Sequence, residues 1–455
     1  YENDMPPSGF TKDQLDEIRR TSLARIICDN GDKTDFVQPS SMIASDIFLN
    51  AFQYCSTGTI NSVDLNKWRS SDRLVHSMSK INRNLLIEEL KRARREVQSL
   101  RQSEMENMLK KNGVAAPNSP QTRLSGFVRP KRQAQIINNQ SLVLELATNG
   151  LVNSLLRDGR DRELGRSLDE DINDFVQSLP QMDLNELIDN HLSSNDEKSL
   201  SKCYESIVPC DHTTPFRSIS GFCNNINNPE FGKSMRVFDR ILPPVYEDGI
   251  KGQRRRGKSG KSLPSPRVIS TSIHDDISSP HVRYALATMQ WGQFLDHDLT
   301  FTPMYMGAGD SLLDCKSCSS RKTVHPECWP IPIPKNDPFF PPVNTTTGVK
   351  QCLHFVRSLN GQTTLGPREQ MNQVTGYIDG SNVYGSDICE ANSLRTFQSG
   401  RLNSTKMVGL KDLLPQTATH IECKAPSGLC FMAGDMRASE QPSLASMSSI
   451  GLTLI

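Results

Sequence analysis

Residues 288–303 constrain the fold more than any other segment, because they place several hydrogen-bonding groups within one helix-forming stretch. They read Thr-Met-Gln-Trp-Gly-Gln-Phe-Leu-Asp-His-Asp-Leu-Thr-Phe-Thr-Pro. In a helix Gln293, Asp296 and His297 stand at i, i+3 and i+4 and share one face, whereas Asp298 is turned about 100° away. Three polar groups on one face, with an acid on either side of the histidine, indicate a functional site if that face is buried.

The surrounding apolar residues predict which face of this helix is buried. Val282, Leu286 and Met289 form a stripe in line with the polar trio, so we expect the trio to face inward. Ser279 as N-cap and Pro280 at the first helical position predict where the helix begins. The alternative is a helix that covers a core and carries a histidine with satisfied hydrogen bonds.

Composition limits the classes of function. The chain has 455 residues, enough for one large domain or two to three smaller ones, and a formal net charge of +1. That balance gives no reason to expect nucleic acid or an anionic membrane as a partner. No apolar run is long enough to span a bilayer. Twelve cysteines and glycosylation acceptors at Asn139, Asn344 and Asn403 predict a secreted protein.

The first part of the chain differs in composition from the rest. Residues 1–132 are polar and helical in pattern, which predicts a pro-region or an N-terminal extension. Within them, 85–111 are rich in Lys, Arg and Glu, with Leu86, Leu90 and Val97 on a thin stripe. We expect a solvated helix here rather than a nucleic-acid or coiled-coil segment.

A basic motif ends this first part. Arg129-Pro-Lys-Arg132 suits a processing protease of the secretory pathway, and cleavage there would make 1–132 a pro-segment. An ordinary basic loop is the alternative, and the sequence leaves both open. Amphipathic patterns predict that 133–202 form a helical linker region.

At this point the chain resembles a known family. Trp-Gly-Gln-Phe-Leu-Asp-His-Asp (291–298) looks like the distal-haem helix of the animal haem peroxidases. The segments 210–223 and 434–442 are similar to further parts of that family. The resemblance implies a mainly α fold. It also implies that 203–447 form the N-terminal half of an animal haem peroxidase-like catalytic domain, which is incomplete here and has disulfide-stapled loops. It also implies the disulfides Cys210–Cys223, Cys315–Cys328, Cys318–Cys352 and Cys423–Cys430.

One pair of these cysteines has a second interpretation. Cys315-Lys-Ser-Cys318 has the spacing of half a zinc site. No second pair of ligands at zinc spacing follows in the chain, so the sequence favours the disulfides.

The resemblance implies a role for each distal residue. His297 would move a proton between the two oxygens of hydrogen peroxide, because a neutral imidazole can both accept and return it. Arg437 would stabilise negative charge on the departing oxygen, and Gln293 would hold a water or a halide. Asp296 and Glu440 match the two residues that attach the haem covalently. Without the family, Arg437 and Glu440 would be interpreted as a surface ion pair.

A calcium site is implied by a second segment, Gly376-Tyr-Ile-Asp-Gly-Ser-Asn-Val-Tyr-Gly-Ser386. Calcium needs six to eight oxygen ligands. The resemblance implies that these ligands include the hydroxyls of Thr375 and Ser381 and the backbone carbonyl of Tyr377. The carboxylates of Asp379 and Asp298 complete the implied set. From its residues alone the segment would be interpreted as a β-turn.

The chain departs from the family in two places. Gln441 stands where some family members carry a Met that makes a third haem link, which favours iodide, bromide, thiocyanate or phenolic donors over chloride. After Met447 the family continues with His-Thr and a half that carries the proximal His, whereas here 448–455 form a non-family tail. The prediction is therefore a secreted peroxidase that uses covalently attached haem, calcium, hydrogen peroxide and a small donor. The alternative is a truncated, non-catalytic, calcium-binding extracellular protein without the proximal ligand.

Overall fold

The fold is that of a computed structural model, and it confirms the expectation of a mainly α protein. The structure describes residues 83–115, 129–157, 203, 210–211, 213–257, 259–274, 277–278, 280, 282–318, 324–409, 411–417 and 427–453. In chain order the helices are α1 Arg83–Leu109, α2 Arg132–Arg157, α3 Pro266–Ile273, α4 Leu286–Leu299, α5 Ser381–Tyr384, α6 Ile388–Leu394 and α7 Pro442–Thr453. Two 3₁₀ turns cover Ala308–Asp310 and Met436–Ser439.

In the part of the chain that the structure describes, the strands are two residues long and pair antiparallel in three separate ladders. They are β1 Arg236–Val237 with β4 Met371–Asn372, β2 Ile331–Pro332 with β3 Cys352–Leu353, and β5 Gln416–Thr417 with β6 Cys430–Phe431. Ladders this short have little stability of their own, so they depend on the loops and helices around them.

One face of helix α1 is buried and holds the helix against the rest of the folded unit. Leu86, Leu90 and Val97, the apolar stripe seen in the sequence, are buried, and α1 packs along α2. Glu104 is also buried, and it accepts a hydrogen bond of 2.6 Å from the Tyr305 hydroxyl. The expectation of a solvated helix is therefore wrong for this face, because its charged residues find partners in distant loops.

Helix α2 is anchored by buried polar contacts. Glu145 accepts from the guanidinium of Arg368 at 3.2 Å and from the Lys251 ammonium at 2.7 Å. Arg368 also donates to Glu327 at 2.6 Å, and its side chain is fully buried. Because removing one partner of such a cluster leaves an uncompensated buried charge, it fixes the position of α2.

Three of the four implied disulfides are confirmed: Cys210–Cys223, Cys315–Cys328 and Cys318–Cys352. The zinc interpretation of Cys315 and Cys318 is wrong, because both sulfurs are in disulfides. Cys430 is disulfide-bonded, whereas Cys423 lies outside the described residues. A further bridge that the sequence did not predict joins Cys203 to Cys389.

The predicted domain boundaries remain predictions. Residues 83–238 and 246–455 form one compact unit, which holds α1, α2 and the later elements. Helix α7 runs through the predicted boundary between 447 and 448 without interruption. None of the described helices is both long and apolar enough to cross a bilayer.

Candidate functional site

Helix α4 begins later than the sequence predicts. It starts at Leu286 after an extended Ala285, and Pro280 precedes it without forming part of it. Ser279, the predicted N-cap, lies outside the described residues. The helix ends at Thr300, whose backbone N–H donates to the carbonyl of Asp296.

The buried face of α4 is also displaced from the predicted one. Its buried residues are Gln290, His297 and Asp298. The predicted stripe is exposed, since Val282 is 98% and Leu286 69% accessible. Met289 and Asp296 are exposed as well, and Gln293 is half-buried. The helix is therefore rotated so that Asp298 faces inward, because Asp298, not Asp296, meets the loop that leads into α5.

His297 is buried as a neutral imidazole. Burial, and then the nearby Arg437 guanidinium, lower the pKa of His297 to about 4, although Asp435 and Asp296 oppose the shift. Its Nε2 lies 3.8 Å from Oε2 of Glu440. At neutral pH this imidazole carries one proton and one lone pair, which is the state that proton transfer requires.

Arg437 is fixed at the C-terminal end of α4. Its Nη2 donates to the backbone carbonyls of His297 at 3.1 Å and Thr300 at 2.8 Å. Nε and Nη2 also form a bidentate pair with Asp435, at 2.9 and 2.6 Å. The aromatic ring of Phe301 lies 4.4 Å from the guanidinium carbon. Within the described residues Nη1 makes no hydrogen bond, so it can donate to a ligand.

Asp435 is the functional residue that sequence reasoning missed. It caps the 3₁₀ turn that carries Arg437, because its carboxylate accepts from the backbone N–H of Arg437 at 2.7 Å. The surface ion pair considered between Arg437 and Glu440 is wrong for the described residues, since the arginine pairs with Asp435 instead. The sequence did contain a signal for this cap: Asp435 follows Gly434 and stands two residues before Arg437, and an aspartate is a preferred residue at the start of a helical turn.

A network of amides joins α4 to the start of α7. Gln293 donates from Nε2 to Oε2 of Glu440 at 3.4 Å. Gln441 donates from Nε2 to Oε1 of Gln293 at 2.6 Å and also to Oε1 of Gln290. Burial raises the pKa of Glu440, and Asp435 adds to that effect against the opposing Arg437. Gln293 and His297 are therefore both next to Glu440, and Gln441 fixes the amide of Gln293.

Asp296 stands apart from this network. Its carboxylate accepts from the Thr300 hydroxyl at 2.9 Å and is exposed on α4. An exposed carboxylate remains available for attachment to a large ligand that lies over this face.

Asp298 lies among the other residues of the predicted calcium site. Its Oδ1 accepts from the Ser381 hydroxyl at 3.0 Å, and its Oδ2 accepts from the backbone N–H groups of Asp379 and Gly380. Thr375 donates its hydroxyl proton to Asp379 at 2.9 Å. Gly380 has a φ of 72°, and this left-handed turn allows the loop to wrap the Asp298 carboxylate.

The electrostatics of this cluster suit a cation. Burial raises the pKa of Asp379, and the Asp298 carboxylate adds to that rise. The Arg217 guanidinium opposes it from 3.3 Å. Two acids and two hydroxyls in one cluster provide hard oxygen ligands. Tyr377 directs its hydroxyl away, to the carbonyl of Phe231 at 2.6 Å, so only its backbone carbonyl could belong to the set.

Two cavities lie elsewhere, with volumes of about 410 and 490 Å³. Both are lined by His325 and the neighbouring loops, and neither is lined by a residue of the α4 site. An apolar enclosed pocket is the usual sign of a small-molecule site. The chemistry here is concentrated on the surface formed by α4 and α7 instead.

The residues of the α4 surface fit a haem group. A buried neutral histidine, a fixed arginine with a free donor atom and two carboxylates lie on adjoining parts of one surface. The carboxylates Asp296 and Glu440 are both exposed, at the edge of the buried network. Such an arrangement would place acid/base and cationic groups around a haem bound over α4 and the start of α7.

Comparison with known proteins agrees with the geometry. A family model described as animal haem peroxidase matches residues 1–42 and 216–452. Heme peroxidase 2 of Caenorhabditis elegans is 38% identical over 55% of this chain and 34% of its own length. The peroxidasin homolog of Mus musculus is 38% identical over 52% of this chain and 17% of its own. Myeloperoxidase of Mus musculus is 36% identical over 53% and 35%. The chain thus spans about a third or less of these relatives.

Proposed function

Because the chain belongs to the animal haem peroxidase family, we propose that it forms the distal side of a haem site that reduces hydrogen peroxide. The electrons would come from a halide, a pseudohalide or a phenolic donor. One observation carries this proposal: Arg437 donates to the carbonyl of His297, so a fixed cation and a buried neutral imidazole share one end of α4.

The protein residues would handle protons and charge. Bound haem supplies the iron at which peroxide is reduced. His297 takes a proton from one peroxide oxygen and returns it to the other, which then leaves as water. Arg437 stabilises the negative charge that develops on the departing oxygen, because its guanidinium stays cationic and Asp435 holds its orientation.

The remaining residues would position the cofactor and the donor. Gln293 would hold a water or a halide beside His297, with its amide oriented by Gln441. Asp296 and Glu440 would carry the two covalent haem links. Gln441, which donates to Gln290 and Gln293, has no sulfur with which to form a third haem link, so the proposed donors are those more easily oxidised than chloride.

Peroxide-dependent donor oxidation tests this function. The purified chain, supplied with haem, should oxidise a phenolic donor only when peroxide is present. His297→Ala should lower that rate about 100-fold or more, since general acid/base catalysis contributes about 10²–10⁴. His274→Ala is the control, because His274 is exposed at the end of α3. Haem-loaded wild type that is inactive, or as slow as His297→Ala, would refute the assignment.

Calcium is the second proposed ligand. The hydroxyls of Thr375 and Ser381, the Tyr377 carbonyl and the carboxylates of Asp379 and Asp298 would hold it. Calorimetric titration of chelator-treated chain should detect one calcium ion, and Asp379→Asn should weaken its affinity at least about tenfold. Asp412→Asn, at an exposed ion pair with Lys406, should leave it unchanged. Absence of binding by the wild type would remove this ligand.

Secretion is part of the same proposal. Four disulfides link described cysteines, a density typical of oxidising compartments. Asn344, one of the glycosylation acceptors, is exposed, and its side-chain oxygen accepts from the backbone N–H groups of Thr346 and Thr347. Asn139 is exposed as well and accepts from Arg101, whereas Asn403 is half-buried and donates to two backbone carbonyls.

A non-catalytic, calcium-binding extracellular protein is the second candidate function. The oxygen cluster around Asp298 favours it, because that cluster forms without any contribution from haem. Calcium binding by a chain that stays colourless when haem is added would favour this candidate over the peroxidase.

A further inference from the structure

The basic motif 129–132 is built into the fold through Lys131. Its ammonium lies 2.7 Å from Oε2 of Glu390 and 3.3 Å from Oδ2 of Asp387. The side chain is 24% accessible, so both ion pairs are largely shielded from water. Shielded pairs keep more of their strength than surface pairs do. The central lysine of the motif is therefore engaged by acids that are far away in the sequence.

The backbone of the motif is held as well. The N–H of Lys131 donates to Oε1 of Gln373 at 2.7 Å, and its carbonyl accepts from the N–H of Gln135 at 3.1 Å. Pro130 is buried, and α2 begins at Arg132. The bond after Arg132 is consequently the first bond of a packed helix. The Arg132 side chain is exposed, but a protease also needs a backbone that can open into an extended conformation, and the contacts of Pro130 and Lys131 hold this backbone closed.

The acidic partners of Lys131 are held in position by contacts that do not involve the lysine. Asp387 is the N-cap of α6, and its Oδ1 accepts from the N–H of Glu390 at 2.9 Å. Glu390 in turn accepts from the N–H of Ser386 at 2.9 Å. Cys389, between the two acids, is bonded to Cys203. Little conformational freedom is lost when Lys131 pairs with these groups, so the contact is a persistent one.

We propose that Lys131, Asp387 and Glu390 form a latch that closes the Arg129-Pro-Lys-Arg132 site to processing proteases while the chain is folded. The latch keeps α1 covalently joined to α2. Helix α1 is also held to the folded unit by its own side chains, because Glu104 and Arg101 both form hydrogen bonds with the Tyr305 hydroxyl. Cleavage after Arg132 then requires the segment to open locally. This inference does not depend on haem or on the proposed activity.

Digestion by a subtilisin-like processing protease, with cleavage followed by mass spectrometry, tests the latch. The folded wild-type chain should be cut after Arg132 at least about tenfold more slowly than the Asp387→Asn/Glu390→Gln double variant. The control is Glu230→Gln, which removes an exposed ion pair with Lys233 and should leave the rate at the wild-type value. Equal cleavage of wild type and double variant overturns the proposal.

Amide hydrogen exchange provides a second readout that does not need the double variant to fold. In the wild-type chain, peptides that cover 129–135 should exchange at least about tenfold more slowly than the same sequence in a short synthetic peptide. Exchange at the rate of the free peptide would mean that the segment is open, and it would overturn the latch whatever the protease does.

Discussion

At the scale of single residues, the site depends on the way buried charges are paired. Sequence reasoning brought His297 and Arg437 together through the family resemblance, and the structure places them at one end of α4. The sequence did not identify Asp435 as the partner of Arg437. Which acid pairs with this arginine depends on the conformation of the turn that carries it, and residue spacing alone does not give that conformation. Glu440 stood at the more familiar i+3 position, yet it contacts Gln293 instead.

Asp435→Asn should destabilise the fold substantially. The substitution leaves the Arg437 guanidinium buried without its carboxylate, which costs about 3 kcal/mol in comparable buried pairs. The free energy of unfolding in urea should fall by about that amount. Asp412→Asn, which breaks an exposed pair with Lys406, should change it little. Equal effects of the two substitutions would contradict the role given to Asp435.

His297 should make the stability of the chain depend on pH. Its pKa of about 4 in the folded chain lies below the ordinary value near 6.5 that applies after unfolding. The unfolded chain therefore binds a proton first, so the stabilising contribution is complete above about pH 6.5 and is lost as the pH falls towards 4.

Urea denaturation at several pH values between 7 and 4 measures this effect. In His297→Gln the loss of stability over that interval should be smaller than in the wild type, because one linked proton has been removed. An imidazole resonance of His297 that titrates near pH 6.5 in the folded chain would contradict the shift.

At the scale of elements, the sequence pattern predicted where helices form more reliably than it predicted which of their faces are buried. The stripe of Leu86, Leu90 and Val97 was expected on a solvated helix, but it is buried, and α1 packs along α2. The start and the face of α4 were wrong, since its burial is decided by Asp298 and the loop before α5. The two-residue strands and the bridge across 186 residues from Cys203 to Cys389 depend on distant segments, so local patterns could not reveal them.

Leu86→Ala tests whether α1 is part of the folded unit. Leu86 is 1% exposed, and its truncation should lower the free energy of unfolding by about 2–4 kcal/mol, as for other buried leucines. Leu109→Ala, at a residue of the same helix that is 73% exposed, should have almost no effect. An equally small effect of both substitutions would mean that α1 is not docked in solution.

At the scale of the whole molecule, α1 and α2 lie outside the residues that match the family model, yet they form hydrogen bonds with residues inside the match. The matched residues are 1–42 and 216–452, so α1 and α2 lie between the two matched segments. Asn138 and Ser141 of α2 donate to the carbonyls of Asn360 and Gln362. Helices α1 and α2 therefore brace loops of the part that matches the family.

The central claim is that α4, the turn with Arg437 and the start of α7 form the distal wall of a haem site. Titration of the purified chain with haem, followed at its Soret absorbance, tests this most directly. We predict saturation at one haem per chain, and a shifted Soret band in Arg437→Ala and in His297→Ala, because both residues lie beside the bound group. A chain that stays colourless, or spectra unchanged by both substitutions, would contradict the claim.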